Sequence, residues 1–99
     1  MDTEKATIAF EALAQETRLR AFLLLVEAGA EGLPAGAISQ ELGTPHNTLS
    51  FHLTHLSHAG IVGSRRKGRS IIYMANFEMM RDVISFLVKD CCSREVANI

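Results

Sequence analysis

Residues 35–60, AGAISQELGTPHNTLSFHLTHLSHAG, decide the fold. They predict a short helix that Gly43 ends, and then a second helix with Thr44 as its N-cap and Pro45 at its first helical position. Two helices joined by a three-residue turn that contains glycine are typical of a helix-turn-helix. The side chains predicted to be buried are Ile38 and Leu42 in the first helix, and Leu49, Leu53 and Leu56 in the second.

The following segment, residues 61–75, reads IVGSRRKGRSIIYMA and has two apolar ends around a charged centre with Gly68. This pattern predicts a two-stranded hairpin with a cationic tip. The formal net charge is only -1, but no acidic residue occurs between Leu42 and Phe77. One face can therefore be basic, as a nucleic-acid partner requires.

The remaining segments predict three more helices. The first two cover about residues 3–14 and 17–29, and the last begins with Asn76 as its N-cap and runs to about residue 92. Together they predict one mainly α domain over residues 1–99 with a small β-hairpin, a winged helix-turn-helix. The apolar faces predicted for these helices are Ala6, Phe10 and Leu13; Leu19, Phe22, Leu23 and Val26; and Phe77, Met80, Ile84 and Leu87.

The composition excludes several classes of protein. Hydrophobic residues make up 47% and charged residues 21%, which is typical of a globular domain. No apolar run approaches the roughly 20 residues of a membrane span, and residues 1–10 are unlike a secretion signal, so we expect a cytoplasmic protein with no membrane partner. We expect no enzymatic activity, because the chain has no CxxC, phosphate loop or recognisable nucleophile–base motif.

Three segments resemble the ArsR/SmtB (arsenic-repressor) family of bacterial winged-helix regulators in order and spacing, namely residues 12–25, 37–62 and 65–75. The resemblance covers about residues 9–90, and LSFHLTHLSHAGIV is its most specific part. It implies a homodimeric transcriptional repressor, joined through its first and last helices, that binds double-stranded operator DNA with two-fold symmetry. The residues that match this dimer interface are Ile8, Leu13, Phe77, Met80, Ile84 and Leu87.

The second helix of the helix-turn-helix carries the candidate DNA-reading residues, because its side opposite the leucines can enter a major groove. Asn47 can pair with an adenine edge, and Phe51 either packs on a thymine methyl or belongs to the core. The hairpin cations either contact the minor groove and phosphates or form a solvated turn. The candidates are Thr44, His46, Asn47, Ser50, Phe51 and Thr54 on the helix, and Arg65, Arg66, Lys67 and Arg69 on the hairpin.

The only two cysteines, Cys91 and Cys92, are adjacent and therefore cannot cross-link distant parts of the fold. Their thiolates would select a soft acceptor such as trivalent arsenic or antimony. The resemblance implies two other sites for metal sensing, but residues 38–45 contain no cysteine and the last helix contains no histidine. We therefore expect the cysteine pair to bind the inducer.

Several alternatives stay open from the sequence. Two sulfur atoms suit an organoarsenical, whereas arsenite would need a third ligand, from the partner subunit or from solution. The pair could also be a redox or persulfide switch, or inert cysteines in a constitutive DNA-binding protein. His52, His55 and His58 could hold a metal, but we expect His52 to pack between helices.

Overall fold

The computed structural model describes residues 1–90, which form five helices and a small antiparallel sheet. In chain order they are α1 (Thr3–Leu13), α2 (Glu16–Ala28), a 3-10 turn (Gly29–Glu31), β1 (Leu33–Pro34), α3 (Ala35–Leu42), α4 (His46–His58), β2 (Val62–Lys67), β3 (Ser70–Ala75) and α5 (Phe77–Val88). The winged helix-turn-helix predicted from the sequence is confirmed.

The core is built around α4, whose three predicted leucines, Leu49, Leu53 and Leu56, are completely buried. Ile38 of α3 and Leu25 of α2 are also inaccessible, and Leu42 packs against the same cluster. These side chains lie one or two helical turns apart on each helix, so the apolar period of the sequence directly gives the inward face of α3 and α4.

The buried faces of α1 and α2 differ from the prediction. In α1 the alanines Ala6, Ala9 and Ala12 are buried, whereas Phe10 is exposed. In α2 the buried residues are Ala21, Phe22 and Leu25, while Leu19 and Leu23 are exposed. The prediction was right for Ala6 and Phe22 and wrong for Phe10, Leu19 and Leu23, because the run of leucines in α2 allows several faces and the inward side of α1 consists of alanines.

The turn between α3 and α4 is fixed by α3 rather than by a cap on α4. Gly43 adopts a left-handed conformation with φ of 66°, and the backbone N–H of Thr44 donates to the carbonyl of Ser39 at 3.1 Å. The Ser39 hydroxyl in turn donates to the carbonyl of Thr44. The predicted N-cap was therefore wrong by one residue: Pro45 precedes the helix, and Thr44 does not cap it.

The sheet has a third strand that the sequence pattern did not predict. Strand β3 lies in the centre, with β2 on one side and the two-residue β1 on the other, in the order β1-β3-β2. The register of β1 pairs Leu33 with Tyr73 and Pro34 with Ile72. A strand this short has no alternation to detect, and it exists only because β3 supplies its partner.

Helix α5 begins as predicted, since the Asn76 side chain accepts a hydrogen bond from the backbone N–H of Met79 at 3.0 Å. The same side chain donates to the carbonyl of Gly60 at 2.9 Å and so connects α5 to the end of α4. The helix ends at Val88 and residues 89–90 form a turn, so the predicted extension was wrong for these two residues, and its last two residues, 91–92, lie outside the described residues.

Candidate nucleic-acid interface

One face of α4 is exposed along its whole length, opposite the three leucines. Asn47, Ser50, Phe51 and Thr54 all lie on it, and 74% of the Phe51 side chain is accessible. Phe51 is thus not part of the core of this chain. The Thr54 hydroxyl donates to the carbonyl of Ser50 at 2.9 Å, which leaves its oxygen lone pairs to accept a hydrogen bond from a ligand.

Two other predicted DNA-binding residues lie at the start of α4. His46 is the first helical residue and is exposed, while Thr44 is half-buried in the turn before it. Pro45 provides no side-chain cap, so the backbone N–H groups of His46 and Asn47 can bind an anion such as a phosphate, whereas that of Thr48 donates to Oδ1 of Asn47 at 3.0 Å.

A groove of about 760 Å³ runs between α1 and the exposed face of α4. Ile8 and Glu11 form its α1 side, and Phe51 and His55 are among its α4 residues. Ile8, predicted for the dimer interface, therefore borders the same groove as the DNA-reading candidates. The two predicted surfaces meet at this edge of the molecule.

The wing is a hairpin of β2 and β3 with Lys67 opposite Ser70 and a two-residue turn between them. Gly68 occupies that turn with φ of 61°, a conformation that glycine adopts without strain. Arg66, Lys67 and Arg69 are exposed at this end. They form a compact group of positive charge, which we call the tip cations.

Arg65 differs from the tip cations although it is adjacent to them in sequence. Its guanidinium donates two hydrogen bonds, one to the carbonyl of Ala30 at 3.2 Å and one to the carbonyl of Glu31 at 3.1 Å. These hydrogen bonds compete with the predicted contact between Arg65 and DNA. The sequence could not indicate them, because the two acceptors are more than 30 residues away from Arg65.

Arg18 joins three helices and was not singled out by the sequence. Its Nε donates to the carbonyl of Ala12, the end of α1, at 2.6 Å, and its Nη1 lies 3.4 Å from Nδ1 of His52 on α4. The pKa of His52 is lowered by burial, and the charges of Arg18 and His55 lower it further. His52 is thus placed between helices, as predicted, and holds α4 against α2.

The predicted dimer residues fall into two groups. Ile8, Ile84 and Leu87 are exposed, the last two at 52% and 60%. Leu13, Phe77 and Met80 instead pack partly against the core of the same chain. The partly buried positions of these three leave less area for a partner, and their assignment to the interface stays a prediction.

Cys91 and Cys92, the predicted inducer ligands, lie outside the described residues. Among residues 1–90, no three His, Cys, Asp or Glu side chains are grouped so that they could hold a metal ion, so the histidines of α4 do not form such a cluster. Over the same residues, no helix is both long and apolar enough to cross a bilayer.

The sequence matches known families in the region of this site. A family described as helix-turn-helix domain matches residues 13–65. The chain is 34% identical over 84 residues to the uncharacterized HTH-type transcriptional regulator MJ1325 of Methanocaldococcus jannaschii, covering 85% of this chain and 92% of that protein. It is 30% identical over 79 residues to the transcriptional repressor SdpR of Bacillus subtilis, covering 80% and 84%.

A solved structure agrees with these matches over most of the chain. An ArsR-like transcriptional regulator from Rhodococcus sp. RHA1 superimposes with a TM-score of 0.77 at 26% identity, covering 91% of this chain and 82% of that one. The fold, the exposed face of α4 and the cationic wing define a winged-helix DNA-binding protein. The chain belongs to the ArsR family of transcriptional regulators, and it is a regulator rather than an enzyme.

Proposed function

We propose that the protein is a homodimeric repressor that binds a two-fold symmetric operator and releases it when Cys91 and Cys92 bind a trivalent arsenical. The observation that carries the DNA-binding part is the exposed face of α4, with Asn47, Ser50 and Phe51 outward beside a wing that ends in the tip cations. Repression is supported by the likeness to SdpR.

The homodimer is supported by apolar surface that residues 1–90 leave uncovered. Ile84, Leu87 and Val88 of α5 are each at least half exposed, and Ile8 of α1 is nearly so. Apolar area on a small domain is stabilised by burial against a second copy, and a two-fold dimer pairs the same surface on both chains. Two copies of α4 also double the number of bases that one protein can read.

The dimer is tested by sedimentation velocity on Leu87→Asp, which places a charge in the proposed interface. We expect the variant to sediment as a monomer. The matched control is Leu23→Asp, since Leu23 is 55% exposed but lies on α2, away from the proposed interface. A dimer in Leu87→Asp, or a monomer in Leu23→Asp alone, would contradict this assignment.

DNA binding is tested by fluorescence anisotropy with duplexes that the protein enriches from a random pool. A double variant, Lys67→Ala with Arg69→Ala, removes two tip cations from each protomer and four from the dimer. Each lost phosphate contact reduces the slope of log K against log salt by about 0.9, so the slope should flatten by up to about 3.6. An unchanged slope would exclude the wing from the phosphate contacts.

The inducer chemistry follows from the composition of the cysteine pair. Two thiols of one chain and phenylarsine oxide form two As–S bonds with loss of one water, and the arsenic keeps its carbon as third ligand. With arsenite the same two bonds form with loss of two waters, and a hydroxide stays on the arsenic unless another thiol replaces it. Trivalent antimony, a soft acceptor of the same kind, would react in the same way.

The inducer is tested by titrating the reduced protein–DNA complex with phenylarsine oxide and, separately, with arsenite. We expect release of the DNA, and no release from the Cys91→Ser, Cys92→Ser protein, whose DNA affinity should equal that of the wild type. Release by hydrogen peroxide or a persulfide donor, and by neither arsenical, would instead make the pair a redox switch. Binding that no reagent alters would make the protein a constitutive DNA-binding protein.

A further inference from the structure

Among the wing cations, Arg65 is the one whose charged group forms hydrogen bonds within the described part of the chain. It donates from Nη1 to the carbonyl of Ala30 at 3.2 Å and from Nη2 to the carbonyl of Glu31 at 3.1 Å. Two N–H groups of a rigid planar fork are thus held by two consecutive carbonyls. This arrangement fixes the direction of the side chain as a single hydrogen bond would not.

The segment that accepts these hydrogen bonds is itself attached to the wing. Gly32 follows it with φ of 66°, and a Cβ built there would lie only 2.2 Å from the carbonyl oxygen of Tyr73 in β3. The next residues form β1 and pair with β3. Arg65 of β2 lies opposite Ile72 of β3, and Ile72 lies opposite Pro34 of β1. The side chain of Arg65 therefore spans the central strand and reaches the connection before β1.

This connection leads directly into the helix-turn-helix. Helix α3 begins at Ala35, immediately after β1, and α4 follows α3 after three residues. The fork of Arg65 therefore links the wing to the chain segment that introduces the DNA-reading unit. Val62 fixes the start of β2 in the core, but its exposed outer part beyond Gly63 is held by backbone pairing with β3 alone if the fork is lost, and the tip cations can then change direction relative to α4.

We infer that Arg65 is a positioning residue, which holds the wing at the angle where the tip cations meet the phosphates, rather than a phosphate ligand. This rests on the proposed DNA-binding function. The acceptors are neutral carbonyls, so the positive charge of Arg65 still adds to the potential of the wing. Its geometry, however, is determined by the protein and not by DNA.

Two substitutions separate the roles of charge and geometry. Arg65→Lys keeps the charge but loses the planar fork, and Arg65→Gln loses both the charge and the fork, because its amide is shorter than the guanidinium. A positioning residue is expected to lose affinity in Arg65→Lys, by about threefold to tenfold for the missing hydrogen bond in each protomer. A phosphate ligand would keep most of its affinity in Arg65→Lys and lose it in Arg65→Gln.

The decisive measurement is a double-mutant cycle between Arg65→Lys and Lys67→Ala, read as DNA affinity at several salt concentrations. If Arg65 positions the wing, removal of the Lys67 charge should cost less affinity in the Arg65→Lys background than in the wild type. The salt slope of Arg65→Lys should flatten although the charge is kept, because the tip cations then lose phosphate contacts, whereas a phosphate ligand would keep the wild-type slope; Arg66→Ala, the matched control, should flatten it by about 1.8 per dimer.

Additive effects in the cycle, or a wild-type salt slope in Arg65→Lys, would overturn the inference. Thermal unfolding of each variant identifies a general loss of folding, since an unfolded fraction would lower the active concentration without changing the salt slope. A failure of the DNA-binding proposal looks different, because then the wild type itself would show no selective or salt-dependent binding.

Discussion

Phe51 and Leu53 are two residues apart on α4 but point to opposite sides, so alanine at each position should give opposite phenotypes. Phe51 is 74% exposed and Leu53 is completely buried. If α4 reads DNA with its exposed face, Phe51→Ala should weaken DNA binding and leave folding intact. Leu53→Ala should destabilise the fold, and the protein that remains folded should bind DNA as tightly as the wild type.

The stability difference follows from burial. A fully buried leucine replaced by alanine costs about 2 to 5 kcal/mol, a large part of the 5 to 15 kcal/mol that is typical of a domain. An exposed side chain usually changes stability by less than about 0.5 kcal/mol. At about 4 to 8 °C per kcal/mol for a domain of this size, Leu53→Ala should melt at least roughly 8 °C lower, and Phe51→Ala within about 4 °C of the wild type.

The affinity difference follows from the ring of Phe51. If a thymine methyl and its neighbours cover about 60 Å² of the ring, burial contributes about 1.5 kcal/mol per protomer at 25 cal/mol per Å². Two protomers on one operator give about 3 kcal/mol, which corresponds to roughly 100-fold weaker binding for Phe51→Ala.

The assay is anisotropy on an enriched duplex, together with urea unfolding of the same preparations. Phe51→Leu is the conservative control and should keep part of the affinity, since an apolar contact does not need an aromatic ring. Affinity of Phe51→Ala within twofold of the wild type, at unchanged stability, would refute the idea that this face of α4 reads base edges.

Three further predictions concern stability, each measured by urea unfolding. The pKa of His52 is lowered in the fold, so the unfolded chain binds the His52 proton first as pH falls. The contribution of His52 to stability is therefore fully present above about pH 6.5 and decreases below it. His52→Gln should flatten this decrease. Gly32→Ala should cost more than about 1 kcal/mol, because of its positive φ and the close carbonyl of Tyr73, whereas Gly36→Ala, in open space within α3, should be neutral or stabilising. Asn76→Ala should cost about 1 to 2 kcal/mol, and Asn76→Asp, which keeps the cap but not the donor to Gly60, should cost less.

The parts of the fold that sequence could predict are those in which local pattern and tertiary packing agree. The leucines of α4 recur at helical spacing, Asn76 precedes a helix with a suitable cap, and Gly68 falls between two apolar segments. In each case the residues that determine the structure are within one or two turns of one another. The exposed face of α4 could be predicted in the same way, because it is the side of the helix opposite the three leucines.

The parts that sequence could not predict depend on residues far apart in the chain. The fork of Arg65 has its acceptors at residues 30 and 31, and Arg18 meets both the end of α1 and His52. In α2, leucines on several faces gave no unique inward side, and the side that is buried carries Ala21, Phe22 and Leu25. Such contacts have no periodicity, so only the assembled fold identifies them.

In the proposed dimer, the alanines on the inner face of α1 would affect the spacing of the operator half-sites. Ala6, Ala9 and Ala12 are nearly inaccessible, so α1 lies as close to the rest of the domain as methyl groups allow. Helix axes that pack are about 8 to 10 Å apart, depending on side-chain size, so larger residues there could move α1 outward by up to about 2 Å. In the proposed dimer the two shifts would add to about 4 Å, more than the roughly 3.4 Å rise of one base pair. Three methyl groups that never approach DNA would then decide how many base pairs separate the half-sites, and a relative could change its operator length without altering any residue that touches a base.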